Sequence, residues 1–300
     1  RFLKGKSMDG IKNQDWFVLQ AGNTEAAVLT PWTRLYRRTR FHRAAFVAEL
    51  KIDGVCFTQK EQDQPHAAST GGMGLCCEYK CPELEKETEV GGLWLKPGVG
   101  ILRRKEKEWT ALDETTTEAL PCLLEAGKDT AVFTTQTPLI NETAYEEQRT
   151  LHLQPGKLTL EVRLRNIGIK TLHLLEYCHN FVSLGETPVG PGQRLLLPAV
   201  ENSKAIQAAG ELIPTSTGIC WPQTPEKAFF RPKLPARKAE PAWRLEMENG
   251  TRAVEESVSF SPCWVSLWGT NYCVCAEVYQ SLTLRQGEEA SWRRTWKFEL

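Results

Sequence analysis

Residues 158–166 read Leu-Thr-Leu-Glu-Val-Arg-Leu-Arg-Asn. Leu158, Leu160, Val162 and Leu164 fall on one parity, and Thr159, Glu161, Arg163 and Arg165 on the other. In an extended chain successive side chains point to opposite faces, so this alternation predicts a strand with one buried face. Asn166-Ile-Gly-Ile-Lys follows as a short turn, and residues 172–185, LHLLEYCHNFVSLG, read as the next strand. Residues 254–260, 263–268, 271–284 and 292–300 continue in the same style. In the last of them Trp292, Trp296, Phe298 and Leu300 share a parity against Arg293, Thr295, Lys297 and Glu299. Upstream, apolar runs at 14–20 and 25–30 flank Gly22-Asn23, and Asp53-Gly54 separates LKI from VCF; both pairs are hairpin signals. No stretch carries the period of a long amphipathic helix. Short strands punctuated by turns predict an all-β chain, a large antiparallel β-sandwich forming a single domain over residues 1–300.

Four stretches are less regular. TRLYRRTRFHRAAFVAEL places five arginines and His42 close together, a pattern given either by a strand with a solvated basic face or by guanidinium forks that hold a ligand. From about Lys60 to Gly92 periodicity is lost, and a loop of that length is usually functional or disordered. LWLKPGVGILRRKEKEW returns to strand character, with Gly98 and Gly100 suited to a bend where the backbone approaches a neighbour closely. Residues 221–241 contain five prolines, which exclude a central strand and suggest an ordered arm across a surface.

Charge balances at 37 basic against 37 acidic residues, which argues against a nucleic-acid partner. No apolar run has the length of a membrane helix, and RFLKGKSMDG lacks the apolar centre of a signal peptide. The ten cysteines are scattered except for Cys76, Cys77 and Cys81, with no histidine at a matching spacing; free thiols in a reduced cytoplasm are expected, and no metal. The triplets at Asn141 and Asn249 occur often by chance.

Two residues suggest chemistry. His179 stands at the end of a strand beside Asn180, and imidazole alone among side chains exchanges a proton near neutral pH without perturbation. It shares parity with Leu175, Tyr177 and Phe181, so a satisfied core histidine gives the same pattern. In NYCVCAEVYQSLTL, Tyr272, Val274, Ala276, Val278 and Leu282 form an apolar face. Asn271, Cys273, Cys275, Glu277, Tyr279 and Ser281 form the other, where small residues around one acid leave space for a ligand. A carboxylate paired with an arginine of the next strand is the structural alternative.

The order YRRTRF, LKPGVGILRR, LRNIGIKTLHLLEYCHNF and AEVYQSLTLRQGEEASW resembles the aldose 1-epimerase (galactose mutarotase-like) family, most of all an uncharacterised bacterial branch of it. The resemblance covers roughly residues 30–198 and 260–298. It implies a β-sandwich with a sugar site on the concave face of one sheet, and anomer interconversion without metal or organic cofactor. By position, His179 resembles the family's general acid and Glu277 its general base. Arg40 resembles a sugar-contacting arginine, Asn180 falls beside the acid, and Glu78 and Lys96 stand where the branch has an acid and a lysine near the pocket. Cys178 replaces an asparagine of the family pattern, Arg38 replaces a glycine, and the second active-site histidine has no match except His66 in the unpatterned loop. The implied ligand is a monosaccharide or, given Arg34, Arg37, Arg38, Arg40 and Arg43, a sugar phosphate. A carbohydrate-binding protein without turnover on the same scaffold is the alternative of a different class.

Overall fold

Leu158, Leu160, Val162 and Leu164 are buried between two large antiparallel sheets in the computed structural model, which describes residues 13–61, 69–114, 118–206 and 212–300. Strand Lys157–Asn166 lies inside a ten-stranded sheet. Its neighbours are Glu289–Glu299 and Tyr145–Gln154, and Ile213–Pro214 and Cys122–Ala126 form the outer edges. The second sheet has nine strands. Eight run in the order Trp16–Ala21, Thr24–Leu29, Phe46–Ile52, Leu75–Lys80, Leu172–Asn180, Val274–Leu284, Trp264–Gly269 and Phe229–Pro235, and Val55–Cys56 pairs with Phe46–Ile52. The fold is therefore the all-β sandwich that the alternation requires.

Turn chemistry sets the local register. Gly22-Asn23 joins Trp16–Ala21 to Thr24–Leu29, and Asp53-Gly54, both with positive φ, closes Phe46–Ile52 onto Val55–Cys56. The turn after Asn166 behaves differently: its flanking strands do not pair, and the chain passes from one sheet to the other. Leu93–Lys96 and Gly100–Arg103 form a hairpin within a separate three-stranded sheet. There Gly98 has φ +77°, and a Cβ on it would stand 2.2 Å from the His42 ring, so close approach is the reason for glycine.

Two expectations change and a third holds. The arginine-rich residues 31–45 form bends and turns rather than a strand. The stretch without periodicity contains a central strand, Leu75–Lys80, whose first five residues are all buried. Both faces of that strand are covered, so no polar alternation marks it. The proline-rich arm includes strand Phe229–Pro235, confined to a sheet edge as proline demands.

A polar cluster crosses the apolar core between the sheets. Arg294 donates from Nε and Nη2 to Glu176 at 3.1 and 2.7 Å, from Nη1 to Glu256 at 2.7 Å, and from Nη2 to the Val278 carbonyl at 2.9 Å. Glu176 belongs to the nine-stranded sheet, and Arg294 and Glu256 to the ten-stranded one. Gln280 donates to Glu176, and Trp243 and Asn180 donate to Glu256. Burial raises the Glu256 pKa despite Arg294, and the second carboxylate adds to that rise. One guanidinium thus holds two carboxylates out of water. Arg294→Ala is expected to lower unfolding free energy by about 3–5 kcal/mol, the usual cost of stripping the partner from a buried ion cluster; urea denaturation followed by tryptophan fluorescence measures it.

Candidate active site

The site is built by cross-strand register. Strand Leu172–Asn180 runs antiparallel to Val274–Leu284 with Glu176 opposite Gln280, and beyond its end Val182 bridges Val274. Counting between those points sets Tyr177 against Tyr279 and His179 against Glu277. On the far sides His179 pairs with Cys76, Tyr177 with Glu78, Glu277 with Ser266 and Tyr279 with Trp264. One row of side chains across this face therefore reads Glu78, Tyr177, Tyr279, Trp264, and the next reads Cys76, His179, Glu277, Ser266.

His179 and Glu277 meet. Nε2 lies 2.9 Å from Glu277 Oε1, with the two side chains only 6% and 5% exposed. An ionised carboxylate accepts only, so the shared proton sits on Nε2. The other nitrogen, Nδ1, is buried without a hydrogen-bond partner among the described residues. The imidazole lies flat on Phe181, with ring centroids 4.1 Å apart, and meets Phe41 and Trp268 edge-on. The second carboxylate oxygen, Oε2, accepts from the Tyr279 hydroxyl at 2.8 Å. Burial pushes the Glu277 pKa up, but His179 and Tyr279 outweigh it and hold the carboxyl below its ordinary range.

Arg40, Glu78 and Lys96 form a second, adjoining group. Arg40 Nε donates to Glu78 Oε2 at 2.9 Å, and its Nη2 donates to the Tyr177 hydroxyl at 2.9 Å. Its Nη1 donates to Thr70 Oγ1 at 3.0 Å, which ties in the loop after the undescribed residues 62–68. Tyr177 in turn donates to Glu78 Oε2. Lys96 Nζ stands 3.7 Å from Glu78 Oε1 and donates to the Tyr79 carbonyl at 2.8 Å. Burial would raise the Glu78 pKa; Arg40, Lys96 and Lys80 instead bring it down to about 2.

Asn180 does not join them. As the next residue along a strand it points to the opposite face, where its amide donates to Glu256 and to the Ala276 carbonyl and accepts from Trp296 Nε1 at 2.9 Å. Its expected contact with a ligand is replaced by a role inside the sandwich. Cys178 has the same parity and packs in the inter-sheet core opposite Cys77, so the departure from the family pattern lies behind the sheet. The small strip Cys273 and Cys275 is not an open floor, since Leu29, Tyr36, Phe41, Phe46 and Phe181 bury it. The arginines do not converge. Arg34 is 82% exposed and paired with Asp15, Arg37 is exposed, and Arg38 meets Glu114; Arg43 bonds the Tyr36 carbonyl and stacks on that ring. His66 lies outside the described residues. His42, also buried, is bonded to Glu147 of the ten-stranded sheet at 2.6 Å.

Several site residues gave no clear signal in the sequence. Tyr177 stacks on Tyr279 at 4.4 Å, Trp264 stacks on the other side at 5.2 Å, and Lys80 Nζ lies 4.9 Å from the Tyr177 ring centroid and 3.3 Å from the Tyr279 hydroxyl. The parity of Tyr279 with Glu277 was the available clue. Lys80 sits on a strand whose pattern hides it, and no sequence spacing links it to Glu277. Among the described residues no group of three or more His, Cys, Asp or Glu side chains is arranged to hold a metal ion, and no helix is long and apolar enough to cross a membrane. The cysteines are free.

The chain has the fold of the galactose mutarotase-like proteins. It superposes on a candidate aldose 1-epimerase from Escherichia coli K12 with a TM-score of 0.59 at 13% identity, covering 95% of this chain and 98% of the other. A galactose mutarotase-like protein from Lactobacillus casei gives 0.56 at 10% identity, with 95% and 100% covered. A GalM/aldose epimerase homologue from C. elegans gives 0.54 at 10% identity, with 95% and 98% covered. No protein-family model and no curated protein matches the sequence.

The depressed Glu78 pKa carries a stability consequence with a definite sign. A carboxyl lowered from 4.5 to about 2 contributes stability that is complete above about pH 4.5 and is lost as pH falls towards 2. That contribution is roughly 3 kcal/mol. Glu78→Gln is expected to reduce stability at pH 7 and to flatten the acid limb between pH 5 and 2, measured by urea midpoints across that range.

Proposed function

We propose that the protein interconverts the anomers of an aldose, with Glu277 as general base and His179 as general acid. The observation that carries this reading is the 2.9 Å approach of His179 Nε2 to Glu277 Oε1 on one sheet face of this fold. The two groups a mutarotation needs must reach adjacent oxygens on one carbon. A base takes the proton of the anomeric hydroxyl, and an acid gives one to the ring oxygen. The C1–ring-oxygen bond then breaks, leaving an open-chain aldehyde. Rotation about C1–C2 and reversal of both transfers give the other anomer. For His179 to release the Nε2 proton as a neutral ring, it enters the step as imidazolium with Nδ1 also protonated.

The surrounding residues fit a sugar. Trp264 and Trp268 are partly buried on either side of Ser266, and Arg40 is partly exposed at the Glu78 end. Aromatic faces and a guanidinium already fixed by Glu78, Tyr177 and Thr70 are rigid partners for a pyranose and its hydroxyls. The adjoining Arg40, Glu78 and Lys96 orient the ligand in this reading, without moving protons in the reaction. A sugar phosphate loses its main support, because the arginines that suggested it disperse. The carbohydrate-binding alternative draws support from the burial of the pair, at 5% and 4% residue exposure.

Exchange NMR on freshly dissolved aldoses tests the proposal. The wild type is expected to accelerate anomer interconversion of at least one aldose above the buffer rate. Glu277→Ala and His179→Ala are each expected to reduce that acceleration by at least about 10²-fold. Saturable binding with no acceleration for any aldose supports the binding protein instead.

A further inference from the structure

We propose that Lys80 is a positioning residue for Glu277, acting through the Tyr279 hydroxyl to leave Oε1 as the one basic oxygen of the carboxylate. This rests on the reading of Glu277 as the base and assigns it two partners and a reacting atom. The chain of donors is short and runs one way. Lys80 Nζ donates to the Tyr279 hydroxyl at 3.3 Å, and that hydroxyl donates to Glu277 Oε2 at 2.8 Å. An ammonium has donors and no acceptor, so a lysine at the hydroxyl oxygen directs the phenolic proton towards Glu277. Charge at the head of such a chain polarises the bonds behind it.

The geometry also fixes the phenol. Its ring is held between Tyr177 at 4.4 Å and 15° and Trp264 at 5.2 Å and 28°, so the hydroxyl has no room to swing off the carboxylate. Lys80 Nζ stands 4.9 and 5.3 Å from the Tyr177 and Tyr279 ring centroids, a further attraction that keeps the ammonium in place. Oε2 is bonded by the phenol and Oε1 accepts from His179 Nε2 at 2.9 Å, so the second lone pair of Oε1 is the position left to take a substrate proton. The other groups around this pair are Arg40 and Glu78 on the Tyr177 side, Cys76 opposite His179, Cys275 on the same strand, Ser266 on the next strand, and Lys233, whose backbone N–H donates to Ser266 Oγ and whose Nζ lies 5.5 Å from the Trp264 ring. Of these Arg40, Glu78 and Lys233 are the basic or acidic side chains, and the first two are bonded to each other at 2.9 Å.

Titration of Glu277 itself provides the test, independently of turnover. Carbon-13 NMR of side-chain-labelled glutamate, with the Glu277 signal assigned by its loss in Glu277→Gln, reads the midpoint in the folded protein. Tyr279→Phe is expected to raise that midpoint by about one pH unit, and Lys80→Met by about half as much. Lys80→Arg is expected to return it to the wild-type value. If methionine at this half-buried position prevents folding, Lys80→Gln keeps a donor without the charge and is expected to behave like it. Should an aldose be turned over, the acid limb of kcat/KM moves by the same amounts. A midpoint unchanged in both Lys80→Met and Lys80→Gln, or one lowered in Tyr279→Phe, overturns the proposal. Because the NMR midpoint needs no substrate, absence of mutarotation would defeat the catalytic reading while this result still stands or falls by itself.

Discussion

Arg294 is the interaction on which the rest of this structure depends. It lies between Glu176 and Glu256, fully out of water, and joins the two sheets at the level of the site. Buried ion clusters contribute little net stability compared with apolar packing of the same shape, but their geometry is unforgiving. A slip of one residue in strand Leu172–Asn180 would turn Glu176 and Asn180 away from Arg294, Glu256 and Trp296 and leave charges unpaired in the core. The same slip would carry His179 inward. The polar core thus fixes the parity that presents His179 to the outer face, although no atom of it reaches that face.

The two faces of this one strand divide the work. Glu176, Cys178 and Asn180 belong to the sandwich interior, while Tyr177 and His179 belong to the site. Neighbouring strands repeat the division: Tyr79 packs in the core beside Glu78 and Lys80 in the site, and Ala276 and Val278 pack in the core around Glu277. Antiparallel register then converts four separate segments into two rows of side chains. That is how a buried histidine–carboxylate pair arises from residues nearly a hundred positions apart. The aromatic stacks beside it, Tyr177–Tyr279–Trp264 and His179–Phe181, limit rotation of the groups that carry protons.

Electrostatics in the site follow from the same rows. Every carboxylate here is buried, and burial alone would protonate it. Glu78 stays ionised because Arg40 and Lys96 flank it. Glu277 does so through His179, Tyr279 and Arg40.

The sequence by itself determined the strands with one polar face, the tight hairpins at Gly22-Asn23 and Asp53-Gly54, and the parity of Glu277 and Tyr279. These are local properties of backbone geometry and side-chain polarity. It also put His179 and Glu277 forward together, as the acid and base that the family resemblance implies. It did not show strand Leu75–Lys80, because a strand covered on both faces has no alternation, and so it did not show Lys80 beside Tyr279. The side of the sheet on which Asn180 lies followed from period two, yet proximity in sequence to His179 suggested the opposite. Only the tertiary structure decided which arginine of residues 34–43 turns inward, since a loop lacks the periodic constraint that assigns faces. It alone decided that His179 meets Glu277, because cross-strand register between distant segments is set by the packing of the whole sandwich.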